Sequence, residues 1–457
     1  MDPKDITHEG LRVGIGFPSA VMLVIGGIIG VGIFVNPAVV ARGLSSPWLV
    51  LAAWSCGGLI ALLGAFVYAE LAARMPNTGG EYVYLRTTMG PLVGFLFGWT
   101  TLLVVHTGGM AAVTIIFAKN LNVLAGGVLP ERLIVMTTLA VLAAVNALGV
   151  RTGNGVQGIL GGLKVVAIIG LIFTGLFLAP PMAKIATGAM SPSELNPWKA
   201  FGAAMIPVVF SYGGWQTANY VSGEIRNSER SLGRALLFGV LAVIAIYLLV
   251  NIACLKALGL RGLGTTLTPA SDIFQRVAGP VGAKLAASAI ALSAIAFLSQ
   301  SMLTGPRVSF AMARDGLFFR GVGNVTQGSR APVIAIILQG CWTGVLALSG
   351  SYEQILSYVT AMNFLFFGLS AACVFVLRRR DLKDAQVPPT HRALFHPWST
   401  GLFILACLII VGFSFWAYPI NSLIGYAILL AGLPPYFFWR RAARREALIE
   451  ETASPHE

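Results

Sequence analysis

Long apolar runs separated by short polar connections fill the chain from about residue 17 to about residue 440. Windows of about 19 residues place spans at 18–41, 48–72, 91–118, 133–150, 156–179, 200–223, 235–256, 281–304, 332–350, 355–377, 400–417 and 420–439. The runs are continuous rather than alternating. They therefore predict helices, which satisfy their own backbone in lipid, and not the strands of a membrane barrel. The expected fold class is an all-α membrane protein with twelve transmembrane helices. The first run is read as a span rather than a signal peptide, because it is long and lacks a charged leading region.

Composition agrees with a lipid environment. Of 457 residues, 56% are hydrophobic and 11% charged, whereas a soluble domain carries about 25% charged residues. Disordered, collagen-like and disulfide-scaffold classes are excluded by the same composition. With the N-terminus placed in the cytoplasm, 21 of the 31 Lys and Arg fall in cytoplasmic connections and 9 in the opposite ones. The positive-inside rule then predicts a multi-pass protein of the cell (inner) membrane with both termini cytoplasmic. The net charge of +13 is thus a topology signal, and its spread over many loops argues against a nucleic-acid partner.

Searches for enzyme chemistry find none. There is no HExxH, no clustered carboxylate pair and no P-loop, and Gly153-Asn154-Gly155 reads as a loop turn. No catalytic residue, metal or cofactor is expected. A filter strand of the TVGYG kind is missing, which lowers a channel reading. Cys56, Cys254, Cys341, Cys373 and Cys407 all fall in or at the edge of apolar spans, where they pack, and none falls in an external loop. No disulfide-linked accessory subunit is therefore expected.

Two spans carry unusual punctuation. The first reads Gly26-Gly27-Ile28-Ile29-Gly30-Val31-Gly32-Ile33-Phe34, and the sixth reads Phe210-Ser211-Tyr212-Gly213-Gly214-Trp215-Gln216. Glycines at matched positions of two five-span halves point to broken helices and a midplane binding site. With the N-terminus inside, a break at Gly30 to Gly32 exposes the N–H end of an outer half-helix, which attracts an anion. A break after Phe210 exposes carbonyls at the same depth, which attract a cation. Together they suit the zwitterion of an α-amino acid. Ile33, Phe210, Trp215 and Gln216 are the candidates for the side-chain pocket or gate, and no buried carboxylate is available for a cationic substrate.

The strings GGIIGVGIF, FSYGGWQTANYVSGEIRNSERSLGRA and RVSFAMARDGLFF resemble the amino acid–polyamine–organocation (APC) superfamily, above all the bacterial members of its L-type amino acid transporter (LAT) branch. The resemblance covers nearly the whole chain and weakens after Arg378, where VPPTHRALFHP departs from the usual Pro-rich loop. It implies a LeuT-type 5+5 inverted repeat with helices 1 and 6 unwound at mid-membrane. The first repeat would occupy 1–179, the second 199–377, and two further helices with a cytoplasmic tail 378–457. It also implies that Ile28, Gly30, Val31 and Gly32 contact the substrate carboxylate, and that Phe210, Ser211 and Gly213 contact its amino group, with Phe210 as an aromatic lid. The implied activity is secondary transport of L-amino acids, neutral ones by the absence of a buried carboxylate, as an exchanger or a proton-coupled symporter. A polyamine or cationic amino acid permease, and a receptor or structural protein that keeps the fold without transport, remain as alternatives.

Lys164 is the one Lys or Arg placed deep within an apolar span rather than near its end. It lies roughly 14 Å along the helix from the expected turn at Arg151 to Gly155, too deep for comfortable snorkelling. Members of the resembled family place a lysine beside the unwound first helix, so Lys164 is the candidate coupling residue, as a fixed cation or a proton carrier. His106 in the third span reads as a neutral histidine hydrogen-bonded across helices, with a pH-sensing or substrate-side role as the alternative. Glu70, Glu81 and Glu224, the last just before Arg226, read as gate or loop-pairing charges at the inner face, and Asn363 of the tenth span reads as a packing residue, with a hydrogen bond within the bundle as the alternative.

Overall fold

The computed structural model describes residues 13–180, 196–349, 352–384 and 391–442. These residues form sixteen bounded α-helices and a further helical stretch over 433–442, with short wider or tighter turns between them, and the one strand-like pairing among them is a bridge between Ile15 and Ile225. Helices α1 (Phe17–Ile28) and α2 (Gly32–Gly43) are two halves of one apolar stretch. Next come α3 (Pro47–Arg74), α4 (Glu81–Met89), α5 (Pro91–Thr100), α6 (His106–Leu124), α7 (Glu131–Ala147) and α8 (Val150–Phe173). The remainder is α9 (Pro197–Tyr212), α10 (Ser228–Thr265), α11 (Pro269–Thr304), α12 (Pro306–Arg314), α13 (Val333–Ser349), α14 (Tyr352–Asp384), α15 (Trp398–Ala417) and α16 (Pro419–Leu430).

Among the described residues, nine helical stretches are long and apolar enough to cross a membrane. Three expected spans fall on shorter pieces. Spans 133–150 and 332–350 correspond to α7 and α13, of 17 residues each. Span 200–223 is the 16-residue α9 followed by a tight 3-10 turn, Trp215–Glu224. The helices are apolar on both sides: Ile159, Phe238, Leu402 and Ile420 face outward, while Val24, Val67, Leu236 and Phe367 are buried. A helix that is hydrophobic all round suits a lipid solvent.

Several boundaries differ from expectation. Gly153-Asn154-Gly155 is helical rather than a loop turn, because the preceding chain reversal is made by Gly149 at φ 109 and α8 starts at Val150. Lys164 therefore sits fourteen residues into its helix, roughly 21 Å from its start at 1.5 Å per residue. α10 and α11 outrun their expected spans by bending at Gly259 and at Ala278–Gly279, where positive-φ glycines absorb the change of direction.

The two broken stretches lie at the centre. α1 packs on α8, α10 and α11, and α2 on α9 and α10. α9 packs on α3 and α15, and the 3-10 turn on α1 and α10. Their crossing is set by glycine. A Cβ built on Gly27 would lie 2.5 Å from the Gly214 carbonyl, and one on Gly214, at φ 103, would run into the Gly27 carbonyl. Only glycine fits both sides.

Candidate functional site

A helix that stops in lipid leaves its last carbonyls without partners. At the end of α1, side chains from three other helices take them. Lys164 Nζ donates to Gly26 O at 2.8 Å and also to Ile29 O. Ser293 Oγ donates to Gly30 O at 3.2 Å. Tyr247 Oη lies 3.0 Å from both Ile28 O and Ser211 O, sharing its proton between the two breaks. Lys164 is fully buried and makes no salt bridge among the described residues, so the carbonyl cluster solvates its ammonium.

On the other side of the first break the donors are open. The N–H groups of Gly30, Val31 and Gly32 have no partner among the backbone hydrogen bonds of the described residues. At the second break α9 continues to Tyr212, two residues beyond the expected stop at Phe210, and the reversal occurs at Gly213–Gly214. Phe210 O accepts the Gly213 N–H at 3.0 Å. With Ser211 O on Tyr247, two of the three expected carbonyls thus already hold one protein donor each, leaving a second lone pair. Asn36 braces this segment, donating to Pro207 O at 3.1 Å and to Ser211 Oγ at 2.7 Å.

The breaks meet in one cleft. Ile28, Gly30, Val31, Gly32, Phe210, Ser211, Gly213 and Gln216 all line it. Ile33 and Trp215 do not. Ile33 is fully buried in the core, because it points away from the break once α2 has begun. Trp215 turns behind the break, edge-on to Tyr68 at 4.8 Å and against Phe367 at 5.2 Å, on the wall of a smaller aromatic cavity. The remaining wall comes from other helices: His106, Gly109 and Val113 of α6, Phe297 and Ser301 of α11, and Val359, Thr360, Asn363 and Phe364 of α14. No Asp, Glu, Lys or Arg lies on it.

Residues 15–434 match the amino acid permease family. The chain belongs to that family. It is 30% identical over 437 residues to the serine/threonine exchanger SteT of Bacillus subtilis, an overlap of 94% of this chain and 97% of that protein. It is 30% identical over 450 residues to the large neutral amino acids transporter small subunit 2 of Homo sapiens, covering 94% and 81%. It is also similar to the human Asc-type amino acid transporter 1, at 29% identity over 460 residues and coverage of 96% and 85%. The permease is thus a membrane transporter and not an enzyme, and the APC and L-type resemblance holds over most of its length.

Beyond the cleft, toward the face where α3 ends, the permease is closed by polar contacts. Glu224 pairs with Arg307 at 2.8 Å, both fully buried, rather than with its neighbour Arg226. Glu70 accepts from Arg74 at 2.8 Å, Arg378 at 2.6 Å and the Ala393 N–H at 2.8 Å, and Arg74 reaches Asp381 at 2.7 Å. Glu81, at the start of α4, is held by Tyr68 Oη at 2.5 Å and Tyr220 Oη at 3.0 Å. Burial without a cation pushes its carboxyl up to about 7. Asp315, joined to Arg86 at 3.0 Å and Tyr82 at 2.7 Å, is likewise raised by burial. Sequence reading placed Glu70, Glu81 and Glu224 at a gate or in loop pairs; it did not supply the distant partners, such as Arg378, 308 positions from Glu70, and Arg307, 83 from Glu224.

Proposed function

We propose that the protein carries neutral L-amino acids across the cell membrane by alternating access, as an exchanger. The single observation that carries this reading is the uncharged cleft between two glycine-marked helix breaks, with the N–H groups of Gly30, Val31 and Gly32 open on one side. In this reading those groups, with Ile28, hold the carboxylate, and carbonyls of Phe210, Ser211 and Gly213 hold the ammonium. Phe210 closes over the substrate. A wall without a carboxylate favours a neutral cargo over a polyamine or cationic amino acid, because a second positive charge would enter unpaired. The printed names of relatives, a serine/threonine exchanger and a large neutral amino acids transporter, support the same cargo class.

The architecture in this reading is the twelve-span LeuT-type inverted repeat, 1–179 and 199–377, with 378–457 as two added helices and a tail. Both termini face the cytoplasm. The cleft, whose lining runs along α6 to Val113 and along the start of α14, then faces outward above a closed inner side. Lys164 is the coupling residue, a fixed cation that ties the end of α1 in place. No accessory subunit joined by a disulfide is part of the proposal.

Radiolabelled amino acid flux into proteoliposomes tests it, with and without unlabelled amino acid inside. Flux that requires internal substrate is expected. Flux driven by external acid alone would replace exchange with proton symport, and absence of flux under every condition would leave a receptor or structural role. In the same assay Lys164→Ala is expected to lose substrate-coupled turnover, and unaltered uptake would remove Lys164 from the mechanism.

A further inference from the structure

We propose that His106 is a specificity-determining residue, presenting its Nδ1 as a hydrogen-bond acceptor to amino acid side chains that carry a donor such as a hydroxyl. The inference rests on reading the cleft as the amino acid site. His106 Nε2 lies 2.9 Å from Ser301 O. A carbonyl has lone pairs and no proton, so the ring proton resides on Nε2 and Nδ1 is an acceptor.

Packing holds the ring in that orientation. Ser301 O also takes the Gly305 N–H at 3.0 Å and the Gln339 amide at 3.1 Å, so the acceptor is itself fixed. A Cβ at Gly305 would run into the imidazole and the Gln339 side chain. The Tyr220 ring closes another edge, 6.1 Å away at 63°. Thr101–Val105, the turn that delivers His106, is wider than α-helical, which shifts the register of every later residue of α6 relative to α5.

Nδ1 has no hydrogen-bond partner among the described residues, is not among the sealed unpartnered atoms, and His106 lines the cleft. Neighbouring polar groups are already engaged. Ser211 Oγ donates to Pro207 O, Thr217 Oγ1 donates to Gly214 O, and Gln216 Oε1 accepts the Gly214 N–H. His106 stands on the α6 wall and on neither break, so it meets the substrate's side chain and not its charged ends. Asn363 on α14 also faces the cleft, so a substitution at His106 is needed to assign the effect.

The test compares kcat/KM for threonine and valine, which differ by a hydroxyl for a methyl, in proteoliposomes of the full chain. Wild type is expected to prefer threonine roughly five- to tenfold, the worth of one neutral hydrogen bond. His106→Leu is expected to bring the ratio near one. His106→Gln, whose amide reaches Ser301 O while turning an oxygen to the cleft, is expected to recover part of it. If the leucine variant does not fold, His106→Ala reads the same ratio without added bulk. A wild type without threonine preference, or an apolar variant that keeps the wild-type ratio, overturns the proposal. A wild type that transports no amino acid overturns instead the reading of the cleft.

Discussion

The wall of the cleft carries no Asp, Glu, Lys or Arg, whereas the closed side a few turns away is held by Glu224–Arg307, Glu70–Arg74–Asp381, Glu70–Arg378 and Arg86–Asp315. Both regions draw on the same scarce polar groups of an apolar chain. In the cleft they are backbone N–H and C=O groups freed by broken helices, joined by uncharged side chains such as His106, Gln216 and Asn363. On the closed side they are long side chains from distant helices. If water reaches both partners of such a contact, their hydrogen bonds pass to water at little net cost, which suits the closure in the alternating-access proposal. An apolar seal of equal area would resist that hydration.

The largest break in this comparison is expected from Arg307→Leu. It leaves the Glu224 carboxylate buried and unpaired, a cost of about 3–5 kcal/mol. Thermal unfolding in detergent should show a large fall in midpoint, and the added change Glu224→Gln should restore much of it. If the double variant is no more stable than the single one, the pair is not what holds that corner.

Next is the crossing of the breaks. Gly214→Ala sets a side chain at φ 103 against the Gly27 carbonyl and should cost about 1–3 kcal/mol from backbone strain, with further loss from the clash. Gly109→Ala is the contrast, since nothing lies within 4 Å of its Cβ. It should fold and lower uptake of larger amino acids more than small ones. Equal stability of the two variants, by size-exclusion profile and unfolding midpoint, would show that the glycine crossing is not required.

A smaller, graded effect comes from Glu81. Its carboxyl is raised from 4.5 to about 7, so the closed side binds a proton that a hydrated Glu81 has released. That contribution is fully present below pH 4.5 and declines as pH rises toward about 7, with little further change above. The stability difference between wild type and Glu81→Gln should therefore grow across pH 4.5 to 7. A difference that is flat with pH would place Glu81 in contact with water. The smallest effect is expected for Arg86→Ala, whose pair with Asp315 is 40% exposed on the arginine side and is worth about 0–1 kcal/mol.

How much could be read from the chain alone varies from residue to residue. The break near Gly30 was legible because glycine is a local signal, readable without knowing what it touches, whereas the second was read after Phe210, two residues before α9 ends at Tyr212. Lys164 stood out because a charge in an apolar run is equally local, and it does lie on the carbonyls of Gly26 and Ile29. Ile33 and Trp215 were assigned to the wall from their nearness in sequence to the breaks. Which way a side chain turns after a break depends on the helix phase, and that phase is set by neighbours such as Tyr68 and Phe367. His106 was visible, but not its tautomer, which is set by a carbonyl 195 positions away.

The chain by itself determined the solvent, the apolar helices and the two weak points in them, because hydropathy and glycine act within one turn of their own position. Tertiary structure decided which freed backbone groups stay open, which acid meets which base, and which side chains reach the cleft. Those outcomes depend on distances between segments far apart in sequence, and a one-residue change of helix phase rotates a side chain by about 100°.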